Sequence, residues 1–387
     1  MKVAFIVFAS IVLSVYFIGN VYIYVRGHQL LEFLGTRRWL YSLIFWTLAL
    51  SFVATQLLRI TGMSGALFDV AFIVGSFWVA VMLYGFITAF SVDIIRFVLW
   101  ISNFRLDIKY TNYLMIKGVV FGLFCVAVTI ILIFGYNNAK NPKPTHLTIP
   151  VYKNAGRLSE LRIVMISDIH LGHIYRKNDL ARIVDAINAQ NPDIVLMAGD
   201  IFDASPKPVI EQDMGVEFSR LQAKYGVFLA LGNHEYIGAR ENREDKQAGL
   251  DYLLQNGVRT LVDEVVLIDN SFYLVGRNDL TASSRKSIAE LLQRVNKNLP
   301  IILLDHQPFL LSEAEEAGVD LQLSGHTHNG QMWPVNYITS WIFEKDWGYL
   351  QKGKTNFYIS CGVGTWGPPV RTAGYSEVVV IELKFVR

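Results

Sequence analysis

The sequence predicts an α/β domain preceded by a bundle of about four transmembrane helices. Three observations carry this. From Lys2 to about Tyr136 charges are sparse and aromatic and β-branched residues dense, whereas an ordinary soluble composition follows from about Lys140. In the second part short apolar strands alternate with amphipathic helical patterns, as in layered α/β domains. Five short runs rich in Asp and His each follow the end of a predicted strand, and they hold five of the eight histidines.

At 52% hydrophobic and 18% charged the chain is apolar for a soluble protein, and the excess lies at the front. Residues 3–25, 39–58, 66–91 and 114–136 are each long enough for the roughly 20-residue helix that crosses a bilayer core. Trp39, Tyr41, Tyr110, Tyr113 and Tyr136 fall near their ends, where amphipathic rings favour the interface. Lys2 resembles the positive start of a signal peptide, but the apolar run is long and no A-x-A-like site follows, so an uncleaved span is expected. The first loop carries Arg26, Arg37 and Arg38 and the third Arg96, Arg105 and Lys109, against Lys2, Arg59, Lys140, Lys143 and Lys153 on the other side. By the positive-inside rule this favours cytoplasmic loops one and three, with the C-terminal domain outside the cytoplasmic membrane. Asp69 and Asp93 are read as interfacial.

Residues 137–144 are polar and proline-broken and read as an exit linker. The expected layout is residues 1–136 in the membrane, 137–157 as linker and entering strand, and 158–387 as the soluble domain, folded from near Leu147. Buried strands are predicted at 162–167, 193–198, 227–231, 300–305 and 320–324. Leu180, Ile183, Val184 and Ile187 follow helical spacing after the first, and Ile288, Leu291, Leu292 and Val295 before the fourth. Residues 258–262, 265–269 and 272–275 read as a small antiparallel meander, with late strands at 357–361 and 377–385. A net charge of +2 gives no electrostatic case for a nucleic-acid partner. Cys125 and Cys361 make no disulfide framework.

The five runs are Ser167-Asp168-Ile169-His170, Gly199-Asp200-Ile201-Phe202-Asp203, Gly232-Asn233-His234-Glu235, Asp305-His306 and Gly325-His326-Thr327-His328. Ligand sites gather outside the carboxyl ends of strands in open α/β sheets, so five short loops converge on one place. Carboxylate, imidazole and amide oxygen together suit Mn, Fe or Zn rather than thiolate-seeking ions. A carboxylate such as Asp200 has two oxygens and can bridge two cations. Two cations about 3.5–4 Å apart can share a hydroxide and clamp a phosphoryl group.

In this order the runs resemble those of the calcineurin-like metallophosphoesterases. The resemblance covers about Leu158 to Val386. Gly325-His326-Thr327-His328-Asn329-Gly330-Gln331, with the run from Gly362 to Arg371, is similar to the membrane-associated branch, although Asn329 stands where glycine is common. The resemblance implies a four-layer α/β/β/α sandwich with two divalent cations at its edge. It implies that Asp168, His170, Asp200 and His328 hold one cation and Asp200, Asn233, His306 and His326 the other, with Asp200 bridging. His234 would contact the phosphoryl group or protonate the leaving oxygen, and Asp203 would orient a ligand. Arg371 is a candidate phosphate contact, and His173, which has no place in the pattern, reads as a loop histidine.

The expected activity is hydrolysis of a phosphomonoester, phosphodiester or pyrophosphate bond by hydroxide activated between two metals. The membrane spans raise a lipid-linked substrate and membrane lipid as partners. Some relatives in the membrane-associated branch cleave a pyrophosphate bond in lipid A precursors. Trp333, Tyr337, Trp341, Ile342, Phe343, Trp347 and Tyr349 follow the histidine pair directly and could meet an interface or a lipid tail. The alternative class is a membrane receptor or assembly protein that binds metal without turnover.

Overall fold

Four long helices account for the apolar front of the chain in the computed structural model, which describes residues 2–60, 63, 65–103, 110–237 and 243–386. They are α1 (Lys2–Leu30), α2 (Arg38–Ile60), α3 (Ala66–Ile101) and α4 (Tyr110–Lys140). A 3-10 turn over Leu31–Arg37 joins α1 to α2 and breaks at Gly35, where φ is 54°. Three helical stretches are long and apolar enough to cross a membrane: Ser10–Arg59, which is α1 and α2 run together through that turn, Ala66–Ile101 and Asn112–Lys140. The third apolar stretch runs further than its composition indicates, so Asp93 lies within α3. There it accepts from Tyr22 and pairs with Arg26, both at 2.5 Å. Arg105 and Lys109, and the side chains of Lys2 and Tyr110, lie outside the described residues.

The chain divides into two compact units, residues 1–134 and 135–387. Within the first, Trp78 Nε1 donates to Asn20 Oδ1 at 2.8 Å and Tyr16 OH to the Ala49 carbonyl at 2.8 Å, pairings that suit an apolar setting.

The second unit begins with the last turns of α4. It continues through β1 (Lys143–Val151), β2 (Glu160–Ile166), α5 (Lys177–Asn188), β3 (Ile194–Ala198), α6 (Lys207–Glu211), β4 (Val227–Ala230), α7 (His234–Ile237), α8 (Arg243–Gln255) and β5 (Val258–Leu261). Then come β6 (Glu264–Ile268), β7 (Phe272–Gly276), α9 (Ile288–Leu291), β8 (Ile301–Leu304), α10 (Leu311–Ala317), β9 (Leu321–Ser324), α11 (Asn336–Ile342), β10 (Gly348–Lys352), β11 (Thr355–Ile359) and β12 (Glu377–Phe385). One six-stranded sheet has the order β1-β12-β2-β3-β4-β5 and the other β10-β11-β9-β8-β7-β6.

Side-chain alternation along the strands assigns the layers. Ile163, Met165, Ile194, Leu196, Ile302 and Leu304 share one buried core between the two sheets. Their neighbours Val164, Ile166, Val195 and Met197 face Leu180, Ile183 and Ile187 of α5 and Leu253 of α8. On the far side Ile301 and Leu303 face α9 and α10. Helices, sheet, sheet and helices therefore stack as the expected four layers.

Two expectations change. Residues 137–144 are not a free linker. Helix α4 runs to Lys140, whose Nζ pairs with Asp179 at 3.0 Å, and Tyr175 OH donates to the Ala139 carbonyl at 2.7 Å. Of the two prolines that imply a break, Pro142 precedes β1 and Pro144 sits in it, an edge strand where a missing N–H is tolerated. The meander is also split. β5 pairs with β4 in one sheet, while β6 and β7 form a hairpin in the other. The chain crosses at Asp263, which has φ of 50° and whose carboxylate accepts from the Asn278 and Lys286 amides.

Candidate metal centre

β2, β3 and β4 run parallel in one sheet and β8 and β9 in the other, so their carboxyl ends open on a common edge. Asp168, Asp200, Asn233, His306 and His326 each follow one of these strands by two or three residues. The loops approach so closely that side chains are excluded between them. A Cβ at Gly325 would collide with the Asp168 carboxylate, and one at Gly232 with the Asp200 carboxylate.

The expected ligand atoms come together in two neighbouring groups: Asp168, His170 and His328, and Asp200, His306 and His326. In the first, His328 Nε2 lies 3.0 Å from His170 Nε2 and 3.5 Å from Asp168 Oδ1. In the second, His306 Nε2 lies 3.2 Å from Asp200 Oδ2 and 3.1 Å from Asn233 Oδ1, which is itself 2.8 Å from His326 Nδ1. His306 Nδ1 is 2.6 Å from the Ala198 carbonyl. That bond fixes the proton on Nδ1 and directs Nε2 at the centre. Asp200 Oδ2 also lies 3.9 Å from His170 Nε2, within reach of both groups.

Electrostatics fit the donor set to cations. Burial pushes His170 down to about 3 and His326 down to about 4, and drives His328 well below its ordinary value. Those rings keep free lone pairs at neutral pH. Burial would depress His306 as well, yet the Asp200 carboxylate beside it holds it well above its usual range. Asp168, pushed up to about 6 by burial, lies in the same pocket. The centre therefore has a negative potential that a proton on His306 partly meets and a divalent cation would meet better. Among the described residues His170 Nδ1 is buried without a hydrogen-bond partner.

His234 starts α7. Its amide donates to Asp200 Oδ1 at 2.8 Å, its Nδ1 contacts the Asp203 carbonyl, and its ring lies 4.5 Å from that of His170. The Asp203 carboxylate is 4.0 Å from His170 Nδ1. Arg371 is only 1% exposed. Its guanidinium donates to the carbonyls of Cys361 at 2.5 Å, Gly364 at 2.6 Å and His328 at 3.3 Å, and one nitrogen lies 3.3 Å from His328 Nδ1. It is set behind a ligand rather than in the open. His173 is buried in the loop before α5 and forms no part of either donor group.

Two supporting carboxylates were visible in the motifs but carried no sequence signal of their role. Glu235 is buried and accepts from the amides of Asp200, Ile201, Phe202 and Gly232 at 2.7–3.2 Å, tying two ligand loops together. Asp305, next to His306, is gripped by Arg285 at 2.7 Å and Arg277 at 3.2 Å. Adjacency to ligands was the only available hint of either.

Residues 161–330 match the model of the calcineurin-like phosphoesterase family. An uncharacterized metallophosphoesterase of Campylobacter jejuni is 31% identical over 98% of this chain and 99% of its own length. The chain belongs to the calcineurin-like phosphoesterases, and with that membership goes metal-dependent hydrolysis of phosphoesters. A Danio rerio protein described as a transmembrane protein with a metallophosphoesterase domain is 30% identical over 67% of this chain, which spans 61% of that relative. Among solved structures, a dimetal phosphatase from Danio rerio is similar at 12% identity, covering 58% of this chain and 99% of that one with a TM-score of 0.34.

Proposed function

We propose that the chain is a membrane-anchored phosphoesterase that cleaves a phosphomonoester, phosphodiester or pyrophosphate bond in a lipid-linked substrate. The observation that carries this reading is the convergence of seven donor side chains from five loops on one sheet edge. Asp168, His170, Asp200 and His328 are assigned to one cation and Asp200, Asn233, His306 and His326 to a second, Asp200 being shared. Its position between the two donor groups supports that sharing. Mn, Fe or Zn bound there would supply a hydroxide nucleophile and offset charge on the phosphoryl oxygens.

The protein's own groups do the rest. His234, with Nδ1 against the Asp203 carbonyl and its ring beside that of His170, is assigned to contact the phosphoryl group or protonate the leaving oxygen. The Asp203 carboxylate, 4.0 Å from His170 Nδ1, is assigned to orienting that ring. Arg371 is assigned to holding His328, because it is buried and both terminal guanidinium nitrogens turn to carbonyls, His328's among them. The lipid-linked part rests on the apolar helices in the same chain. Arg26, Arg37, Arg38, Arg96, Arg105 and Lys109, against Lys2, Arg59, Lys140, Lys143 and Lys153 on the other side, favour the cytoplasmic membrane with the α/β unit on its outer side.

The test is turnover by full-length, metal-reconstituted protein. Asp200→Asn and His328→Ala should each lower hydrolysis of an aryl phosphate ester by roughly a thousandfold or more. Unchanged rates would overturn the assignment. Equal rates on short soluble esters and on bilayer-embedded ones would remove the lipid-linked part alone.

A further inference from the structure

We infer that α11 and the aromatic side chains around it form a bilayer-docking surface that sets the metal centre at the height of lipid phosphates. The inference rests on the reading of the chain as a membrane-anchored phosphoesterase and names where its substrate is met.

Helix α11 reverses the usual pattern of a surface helix, since it buries no residue at all. Trp341 is 87% exposed, and Tyr337, Ile338 and Ile342 beside it are exposed as well. From Asn329 to Phe343 the chain carries no charged residue. The patch continues through Trp333 just before the helix. It continues through Phe309, whose ring lies 4.8 Å from that of Phe343. Leu310 follows, 74% exposed and held at φ of 54°. A non-glycine residue in that region costs energy, and here the cost presents an aliphatic side chain to solvent.

This patch borders the candidate centre on two sides. Phe343 lies 6.0 Å from the His326 ring, and the exposed Trp366 lies 6.3 Å from the His234 ring. The helix is also fixed to the ligand loop. Thr327, between the two histidines, donates to the Asp346 carbonyl at 2.5 Å, and the Asp346 carboxylate accepts from Thr339 of α11 at 2.8 Å. A Cβ at Gly330 would strike the Asn336 backbone. The depth of α11 and the height of the metal centre are therefore one quantity.

The occupant is a bilayer interface rather than a protein. Tryptophan and tyrosine with aliphatic neighbours and no charge are the composition of an interfacial belt. A helix meets the need for internally satisfied backbone groups there. The helices that suit a bilayer in this same chain keep lipid at high effective concentration, so contact needs little affinity of its own. A phosphate on an embedded lipid would then enter between Phe343 and Trp366 while its apolar part stays in the bilayer.

The test uses full-length protein in phosphatidylglycerol–phosphatidylethanolamine vesicles. Spin labels are placed at Ile338→Cys, Trp341→Cys and, as a control, Lys297→Cys, in a Cys125→Ser background where Cys361 is buried. Docking predicts that dissolved oxygen reaches the labels at 338 and 341 better than a water-soluble nickel chelate does, with the reverse at 297. Labels at 338 and 341 that behave like 297 would overturn it. Labels shielded from both reagents would also overturn it, since a second copy or another protein would then cover the face. Docking further predicts that the double variant Ile338→Ser, Trp341→Ser loses turnover of an embedded phosphoester by roughly tenfold or more, with hydrolysis of a soluble ester unchanged. Embedded labels on a protein inactive towards every phosphoester would sustain the docking surface while removing the enzymatic reading.

Discussion

The candidate ligands themselves carry unusual backbone conformations. Asp168, His170, Asp200, His326 and His328 all have positive φ, between 50° and 74°. Each costs on the order of 1 kcal/mol for an L-residue, so the surrounding bonds must hold them there. Glu235 is one such holder, and Glu235→Gln replaces an acceptor with an amide that faces backbone donors. It should lower stability by about 2 kcal/mol and weaken metal affinity, measurable by thermal melts and metal titration. Arg371 is another. Arg371→Lys cannot span the Cys361, Gly364 and His328 carbonyls, and should weaken metal affinity roughly 10- to 100-fold with circular dichroism unchanged. A large rise in KM with intact metal binding would instead return Arg371 to phosphate recognition. Protons report on the same centre. His306 is held protonated by Asp200 in the metal-free protein, so metal binding at neutral pH must expel that proton. Affinity should rise about tenfold per pH unit there. Below about pH 6 the Asp168 carboxyl, pushed up to about 6 by burial, adds a second proton and a steeper slope. Calorimetry in buffers of different ionisation enthalpy measures the release, and heats independent of buffer would refute it.

At the scale of elements, the loops work because the strands beneath them leave no spare volume. Gly325→Ala would press a methyl group against Asp168 and Ser167. A cost of about 1–3 kcal/mol and loss of the Asp168 donor group are expected, read by melting temperature and metal stoichiometry. The strands that lead to the candidate donors were legible in the sequence to within two residues, because β3, β4 and β8 are continuous apolar runs buried on both faces and β2 and β9 are largely so. Elements without that signature were not. β10 alternates between half-buried and exposed positions and reads as loop. The start of β1, Lys143-Pro144, looks like linker, although a strand entering the domain was expected after it. α11 was invisible as a helix because its apolar residues face solvent, so no helical stripe points to a core. The division of β5 from β6 depends on a turn at Asp263 whose partners lie 15 and 23 residues away. No local pattern could show that. The candidate donors were readable because their motifs follow one another in a set order, each just after a strand. The placement of Arg371 was not, since an arginine after a Gly-Pro-rich loop reads equally as an open phosphate contact.

For the whole molecule, buried carboxylates facing one another make folding and metal occupancy a single equilibrium. Chelation should lower the melting temperature of the α/β unit, and manganese should restore it. A cation present at about a thousand times its dissociation constant contributes roughly 4 kcal/mol, while identical melts with and without chelator would contradict the donor assignment. The end of α4 bears on how this protein can be prepared. Its last turns lie in the same compact unit as the sheets, with Ala139 and Lys140 bound to the segment around Tyr175 and the Gly135 carbonyl accepting from the Arg371 amide. A secreted or cytosolic fragment cut at the compositional border near Leu147 would lose those bonds and part of the edge strand that covers β12. A fragment starting before Gly135 would keep them, at the cost of carrying an apolar helical stub that needs detergent. Yield and solubility would therefore favour the shorter piece, and native metal affinity the longer.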